Sequence, residues 1–436
     1  MAGRRAACPR RPGRPMRVVS QSAAGQAVPE RTPLAWVEIA KGLCIGLVVL
    51  MHATFGLEGA LGEQGYAHAI ADFAQPFRMP TFFALSGLFL GRALAAGWGP
   101  FLERRVFHYL YFYTLWLLIQ EAIRFPQLGG GTLAGSLNHF AWSYVEPFST
   151  LWFLYALALF ALVTRLAARV ATPVVLGVAL GLAGSDIRSG WHLLDVACDT
   201  YAYFYAGYRL APQILAFGER MRARPALAAA ATAGWLVVNG VLIFRVVPAL
   251  GCATVGEAPL VALPLGVLGV FGVTALATLL ERSAAGPALA YAGYRSIVIY
   301  LAAFAPVALL RAGMVRYGVP LDVGTASLAL TAAGILLPLA LERVLRGTPA
   351  ACLFVRPSAA LRAPALFLGG GGLVGGSLGG GRSSPGGAAA PSAASVVSVA
   401  EAGTSLATAL GGPPVQRGAL VPAGPSLPLA LGPRES

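Results

Sequence analysis

Residues 36–56 read WVEIAKGLCIGLVVLMHATFG, and this stretch decides the class of fold. It is apolar over a length that crosses the roughly 30 Å hydrocarbon core of a bilayer as a helix. Ionisable side chains are costly inside such a helix, so Glu38, Lys41 and His52 are candidate functional residues. At about 100° per residue, all three lie on one stripe roughly 60° wide. The sequence therefore predicts a membrane helix that presents one chemical face.

The three side chains differ in their depth along this helix. At 1.5 Å per residue His52 lies about 16 Å beyond Lys41, whereas Glu38 and Lys41 are near enough to pair. An interfacial ion pair and a satisfied polar histidine would explain them without any catalytic role. However, histidine is the side chain best suited to take a proton near neutral pH. Lys41 is also the only lysine in a chain whose other basic residues are arginine.

The composition of the whole chain agrees with a membrane protein. Its 436 residues are 57% hydrophobic and 11% charged, with a mean hydropathy of +0.69, against about 25% charged residues in soluble domains. An ordinary soluble globular protein is therefore excluded. The net charge of +14 indicates cytoplasmic loop arginines rather than a nucleic-acid partner. The five cysteines lack the spacing of metal ligands, so we expect no metal site.

We predict an all-α polytopic membrane protein, a bundle of about ten transmembrane helices, because the apolar runs lack the alternation of a barrel. Every second connection is rich in arginine, which places both termini in the cytoplasm. The predicted spans are 34–55, 73–96, 106–123, 150–166, 170–184, 193–211, 226–247, 259–280, 288–310 and 323–344.

The chain divides into three parts by composition. Residues 1–33 form a basic cytoplasmic arm that we expect to be disordered, and 34–356 form the membrane domain. Residues 362–436 are rich in Gly, Ala, Ser and Pro, which predicts a disordered tail. No internal repeat is visible, so the hallmark of a secondary transporter is missing from the sequence.

Three further segments place polar residues inside or beside predicted helices. PFRMPTFFALSG at 76–87 brings Arg78 and Ser86, and STLWFLYAL at 149–157 brings Trp152. YAGYRSIVIYL at 291–301 brings Ser296 and Tyr300.

Together these segments resemble the acyltransferase 3 family of integral-membrane O-acyltransferases, and most closely its fucose 4-O-acetylase-like branch. The family opens with an acid, then Arg-Gly, then a His, which Glu38, Lys41-Gly42 and His52 match with Glu for Asp and Lys for Arg. PFRMPTFFALSGLF, LWFL at 151–154, FYAGYRL around Gly207 and the segment from Gly293 to Leu301 are similar to later family motifs. Together the resemblance covers about residues 31–356.

Two further positions depart from the family pattern. The late motif often ends in a histidine where this chain has Ala303, and the cytoplasmic RxxR is replaced by the segment from Glu103 to His108. Lys41 keeps the charge of the usual arginine but loses its planar fork.

The resemblance implies transfer of an acyl group, usually acetyl, from cytosolic acyl-CoA to a hydroxyl of a sugar, glycan or lipid-linked glycan. It implies a multi-pass protein of the bacterial inner membrane that modifies cell-envelope polysaccharide. His52 would be the general base, and Lys41 and Glu38 are the other candidate catalytic residues. The acyl-CoA phosphates would meet a cytoplasmic cluster formed by Arg92, Arg104 and Arg105. Candidate substrate-binding residues are Arg78, Ser86, Trp152, Asp195, Asp199, Ser296 and Tyr300.

Two alternatives remain at the level of sequence. In a transporter or exporter of a glycan or acidic solute, Glu38, Lys41 and His52 would line a proton or substrate path. A non-catalytic relative of the acyltransferases would keep the fold without the chemistry.

Overall fold

Helices form almost all of the regular structure of this protein. The computed structural model describes residues 34–357 except 126–127, 186, 188 and 247–253, and within these residues it has no β-strand. The predicted arm at 1–33 and tail at 362–436 lie outside the described residues. The prediction of an all-α polytopic membrane protein is confirmed.

The α-helices are numbered in chain order. They are α1 (Ala35–Leu61), α2 (Ala67–Gly87), α3 (Leu90–Leu94), α4 (Trp98–Leu102), α5 (His108–Ile123), α6 (Leu133–Trp142), α7 (Trp152–Leu166), α8 (Thr172–Gly184), α9 (His192–Arg209), α10 (Ala211–Ala223), α11 (Pro225–Ile243), α12 (Pro259–Leu280), α13 (Gly286–Tyr294), α14 (Ser296–Ala302), α15 (Phe304–Tyr317) and α16 (Val323–Leu345). A π-helical turn at Glu103–Phe107 leads directly into α5.

Five segments among the described residues are long and apolar enough to cross a membrane. They are Ala35–Leu61, Ser149–Arg169, Pro225–Ile243, Leu260–Leu280 and Val323–Leu345. Helices α14 and α15 would add a sixth span, bent by 47°. The predicted span at 288–310 is therefore interrupted, and α8, with 13 residues, measures only about 20 Å. The number of ten spans and the cytoplasmic termini remain predictions.

Helix α1 lies at the centre of the bundle. It packs against α2, α12, α13 and α16, and its side chains Trp36, Ile39 and Leu57 are fully buried. Helix α1 therefore contacts protein on several sides. The end of the bundle that holds Lys41 is called here the Lys41 end, and the opposite end the His52 end.

Glycines set the two closest helix contacts of the site. A side chain on Gly42 of α1 would collide with the carbonyl of Leu289, and one on Gly293 of α13 with the carbonyl of Glu38. Gly87 of α2 and Gly207 of α9 face each other in the same way. Small residues let helix backbones approach closely in a membrane, which explains why these motif positions hold glycine.

The segment after α16 folds back along α5. The Tyr111 hydroxyl donates to the Cys352 carbonyl and the Trp116 indole to the Leu353 carbonyl, each at 3.0 Å. Phe354 is buried beside Trp116 in a second core cluster. Residues 349–356 therefore form a strap that holds α5 in place at the edge of the site.

Candidate functional site

The charged stripe of α1 begins with an ion pair. Lys41 Nζ lies 2.9 Å and 3.0 Å from the two carboxylate oxygens of Glu38. The two side chains are only 24% and 26% exposed. Pairing lowers the cost of keeping both charges close to lipid, as their spacing of three residues allows.

Lys41 also lies in the wall of a pocket of about 240 Å³, called here the Lys41 cavity. Its lining comes mainly from helices α1, α2, α5, α7 and α14 and from the π-helical turn before α5. Its polar lining consists of Lys41, Ser86, Arg105, His108, Tyr109, Ser296 and Tyr300, and its apolar lining of Phe82, Leu85, Phe89, Phe153, Leu154, Leu157 and Ile297. The fold thus brings together five of the residues predicted from sequence: Lys41, Ser86, Arg105, Ser296 and Tyr300.

Arg105 supplies an uncommitted cation to this cavity. It forms no ion pair with the described part of the chain, and its Nη2 donates to the Phe89 carbonyl at 3.0 Å. Arg356 of the strap, by contrast, is paired with the Glu103 carboxylate at 2.6 Å. Of the three cations Lys41, Arg105 and Arg356, Lys41 and Arg356 are already paired with carboxylates. Arg105 can therefore bind an anionic ligand without breaking an ion pair.

Two polar residues of the cavity are held in fixed positions. The Tyr300 hydroxyl donates to the Thr150 carbonyl, which ties α14 to the start of α7. Ser86 donates to the Phe82 carbonyl one turn earlier, at 2.8 Å. Their hydroxyl protons are therefore engaged with backbone carbonyls.

The break between α13 and α14 is anchored by charge. Arg295 donates to the Glu342 carboxylate of α16 at 3.0 Å, and Arg346 donates to the same carboxylate at 2.8 Å and 2.9 Å. Glu342 is almost completely buried. Because a buried carboxylate with two arginine partners is hard to displace, this network fixes the backbone that presents Ser296 to the cavity.

His52 lies beyond the Lys41 cavity. The same face of α1 carries the buried residues Ile45 and Val48 between Lys41 and His52. His52 itself is exposed, and the charge of Arg78 acts on it. Glu38, Lys41 and His52 therefore share one face of α1, but buried apolar side chains separate the ion pair from His52 on that face.

The other predicted residues divide between the two ends. Arg92 and Arg104 are exposed and do not line the Lys41 cavity. Trp152 stacks edge-on against His192, with ring centroids 5.8 Å apart. Asp195 accepts hydrogen bonds from the backbone and hydroxyl of Ser189 at 2.7 Å and 2.6 Å. Asp199 is half-buried one turn later on α9.

Sequence reasoning assigned no role to two residues of the site. His108 lines the Lys41 cavity, and the charges of Arg105 and Arg356 both act on it. The position of His108 shortly after Arg104 and Arg105, in the segment that replaces the family's RxxR, could have indicated from sequence that it belongs to the site. Nothing in the sequence indicated that Arg356, far along the chain, returns to Glu103.

Comparisons with known proteins agree with this architecture. Inner membrane protein YcfT of Escherichia coli (strain K12) is 24% identical over 197 residues, which cover 39% of this chain and 55% of that protein. The chain thus spans about half the length of this curated relative. No solved structure matches.

The family comparison covers most of the described residues. Residues 34–343 match the acyltransferase domain of the acyltransferase 3 family. The match does not distinguish branches of the family, so the fucose 4-O-acetylase-like branch remains a prediction. It includes α1 with Glu38, Lys41 and His52, and it ends before the strap. This multi-pass integral membrane protein belongs to the acyltransferase 3 family.

Proposed function

We propose that this protein is a membrane O-acyltransferase that moves an acetyl group from cytosolic acetyl-CoA to a hydroxyl of a cell-envelope glycan or lipid-linked glycan. One observation carries the proposal. A single face of α1 holds Lys41 in the wall of the Lys41 cavity and His52 about 16 Å further along the helix. The acyl donor can thus bind at the Lys41 end, while His52 supplies the base at the opposite end.

The Lys41 end is suited to the donor. Coenzyme A carries phosphates, and Arg105 can bind a phosphate through two parallel hydrogen bonds without breaking an ion pair. Lys41 and His108 flank it in the cavity wall. The aromatic and aliphatic lining beyond them suits the largely apolar pantetheine arm and thioester. This assignment places the Lys41 end in the cytoplasm, in agreement with the arginine-rich loops.

The acyl group must then pass the level of Ile45 and Val48 to reach His52. Side-chain rotation of these two aliphatic residues would open that route, because both lie on the face that carries Lys41 and His52. We propose that donor binding triggers this opening. While no donor is bound, the closed route would separate the Lys41 cavity from water on the His52 side.

His52 acts as the general base in the proposed reaction. Its imidazole takes the proton of the acceptor hydroxyl as the oxygen attacks the thioester carbonyl carbon. The oxyanion of the tetrahedral intermediate is stabilised by Arg78, whose charge acts at the position of His52. The carbon–sulfur bond then breaks, and the coenzyme A thiolate leaves and receives the proton from His52. The products are an ester and free coenzyme A.

Incubation of the purified chain in lipid nanodiscs with acetyl-labelled acetyl-CoA and candidate glycans tests this proposal. The label is expected to appear on the glycan as a base-labile ester, together with one free coenzyme A thiol per ester. Proton-coupled uptake of glycan into sealed vesicles without consumption of acetyl-CoA would instead identify a transporter. If no acceptor gives either an ester or uptake, the protein is a non-catalytic relative.

A further inference from the structure

A group of two arginines from outside α1 lies near the His52 end of the bundle. Arg311 of α15 lies directly against Gly56, which is one turn beyond His52 on the same face of α1. A side chain at position 56 would collide with the guanidinium of Arg311. Glycine at this position therefore leaves the space in which Arg311 reaches α1 beside His52.

A second guanidinium, from the end of α5, completes the group. The Cζ atom of Arg124 lies 4.6 Å from the ring centre of Phe304 and 5.4 Å from that of Phe148. Phe304 belongs to α15, the helix that carries Arg311, and the charge of Arg311 acts on Arg124. The Nε of Arg124 is fully buried and has no hydrogen-bond partner. A guanidinium held by its face against aromatic rings keeps its edge available for a ligand.

The acidic residues at this end are engaged elsewhere. The Glu121 carboxylate, whose charge acts on Arg124, is hydrogen-bonded to His139 through one oxygen. The Glu58 carboxylate is hydrogen-bonded to His68 at 2.6 Å. Arg78 donates to the Ala71 carbonyl at 3.1 Å and has Asp72 in its vicinity.

Arg124 and Arg311 consequently form no ion pair with any carboxylate that the structure describes. Both side chains are half-buried. Two adjacent cations that are partly removed from water are unfavourable unless an anion joins them. The arrangement is thus that of an anion site beside His52, to which each arginine can give a bidentate contact.

We propose that Arg311 and Arg124 bind an anionic group of the acceptor, a carboxylate or a phosphate, and thereby position its hydroxyl at His52. This rests on the proposed function and narrows it to acidic acceptors. Such an acceptor is a glycan with uronic acid residues, or a glycan joined to lipid through phosphate. A neutral sugar would leave the two guanidiniums without a partner and would bind more weakly.

A binding measurement on the full chain in phosphatidylcholine nanodiscs tests this. The probes are a glucuronate-containing tetrasaccharide, its carboxyl-reduced neutral counterpart, and a polyprenyl phosphate. The variant Arg311→Gln removes the charge, and Arg316→Gln on the exposed part of the same helix is the matched control. Arg311→Lys keeps a positive charge but loses the planar guanidinium that can make two parallel hydrogen bonds. A normal unfolding temperature for each variant shows that it is folded.

At least one anionic probe is expected to bind wild type more tightly than the neutral sugar. Arg311→Gln should weaken that binding by roughly 10- to 100-fold, Arg311→Lys by less, and Arg316→Gln not at all. The probe that responds identifies carboxylate or phosphate as the natural anion. Equal binding by wild type and Arg311→Gln would overturn the inference. Displacement of the probe by phosphatidylglycerol in the nanodisc would also overturn it, since the site would then hold a lipid headgroup.

The two proposals can fail separately. Binding needs no acyl transfer, so an Arg311-dependent anion site in a protein that never forms an ester would refute the proposed function alone. Ester formation on neutral and acidic glycans alike, unchanged in Arg311→Gln, would refute the anionic acceptor alone.

Discussion

The backbone carbonyl of Glu38 lies directly against Gly293, so that no side chain larger than hydrogen fits at that position. This contact joins the first helix, which carries the charged stripe, to the helix that leads into Ser296. Gly42 makes the reciprocal contact with the Leu289 carbonyl. The relative position of Lys41 and Ser296 across the Lys41 cavity therefore depends on two glycines.

Gly293→Ala should destabilise the protein strongly. The new methyl group would meet backbone, which cannot move aside as a flexible side chain can, so we expect a loss of about 2 kcal/mol or more. Thermal unfolding in detergent micelles measures this as a lower unfolding temperature. Gly46→Ala is the control, since nothing lies within 4 Å of its new Cβ and alanine favours the helix by about 0.5–1 kcal/mol. Similar unfolding temperatures for Gly293→Ala and Gly46→Ala would contradict this packing.

Lys41→Arg should keep activity within a few-fold of wild type. Arginine retains the charge that pairs with Glu38 and restores the fork that most of the family would present to a phosphate. Lys41→Gln should raise the KM for acetyl-CoA by roughly tenfold, because the charge is lost from the cavity wall. Steady-state kinetics with acetyl-CoA varied at saturating acceptor separates the two variants. An unchanged KM in Lys41→Gln would remove Lys41 from the donor site.

Arg105→Gln should weaken donor binding by roughly tenfold, since Arg105 lines the Lys41 cavity and has no carboxylate partner there. Arg104→Gln is the matched control on the next residue, whose side chain is exposed. Its donor affinity should stay near that of wild type. Equilibrium binding of coenzyme A at two ionic strengths measures both, and the Arg105-dependent part should fall less steeply with salt because it is partly buried. A larger effect in Arg104→Gln than in Arg105→Gln would place the donor outside the cavity.

Much of this architecture was accessible from the sequence because its physical causes are local. The apolar length of α1 and the angular positions of Glu38, Lys41 and His52 follow from helix geometry alone. The pairing of Glu38 with Lys41 follows from their spacing. The sequence also named Ser86, Ser296 and Tyr300 as candidate substrate-binding residues; the structure places all three in the lining of the Lys41 cavity, and their role stays a prediction.

The remainder depends on contacts between distant parts of the chain. The return of Arg356 to Glu103, and the approach of Arg311 to Gly56, have no counterpart in local periodicity. The predicted span at 288–310 is apolar throughout most of its length, yet the ion pair of Arg295 with Glu342 coincides with the break after α13. Hydropathy alone does not detect such a break, because the partner of Arg295, Glu342, lies in a distant part of the chain.

We assign the role of base to His52, although His108 is the histidine that lines the Lys41 cavity. The most direct measurement is the single-turnover rate of acetyl transfer from labelled acetyl-CoA by wild type, His52→Gln and His108→Gln, with His192→Gln as an exposed control. We expect His52→Gln to slow transfer by roughly 10²- to 10⁴-fold while coenzyme A binding is unchanged, and His192→Gln to equal wild type. Normal transfer by His52→Gln, with loss of transfer in His108→Gln, would show that His52 is not the base.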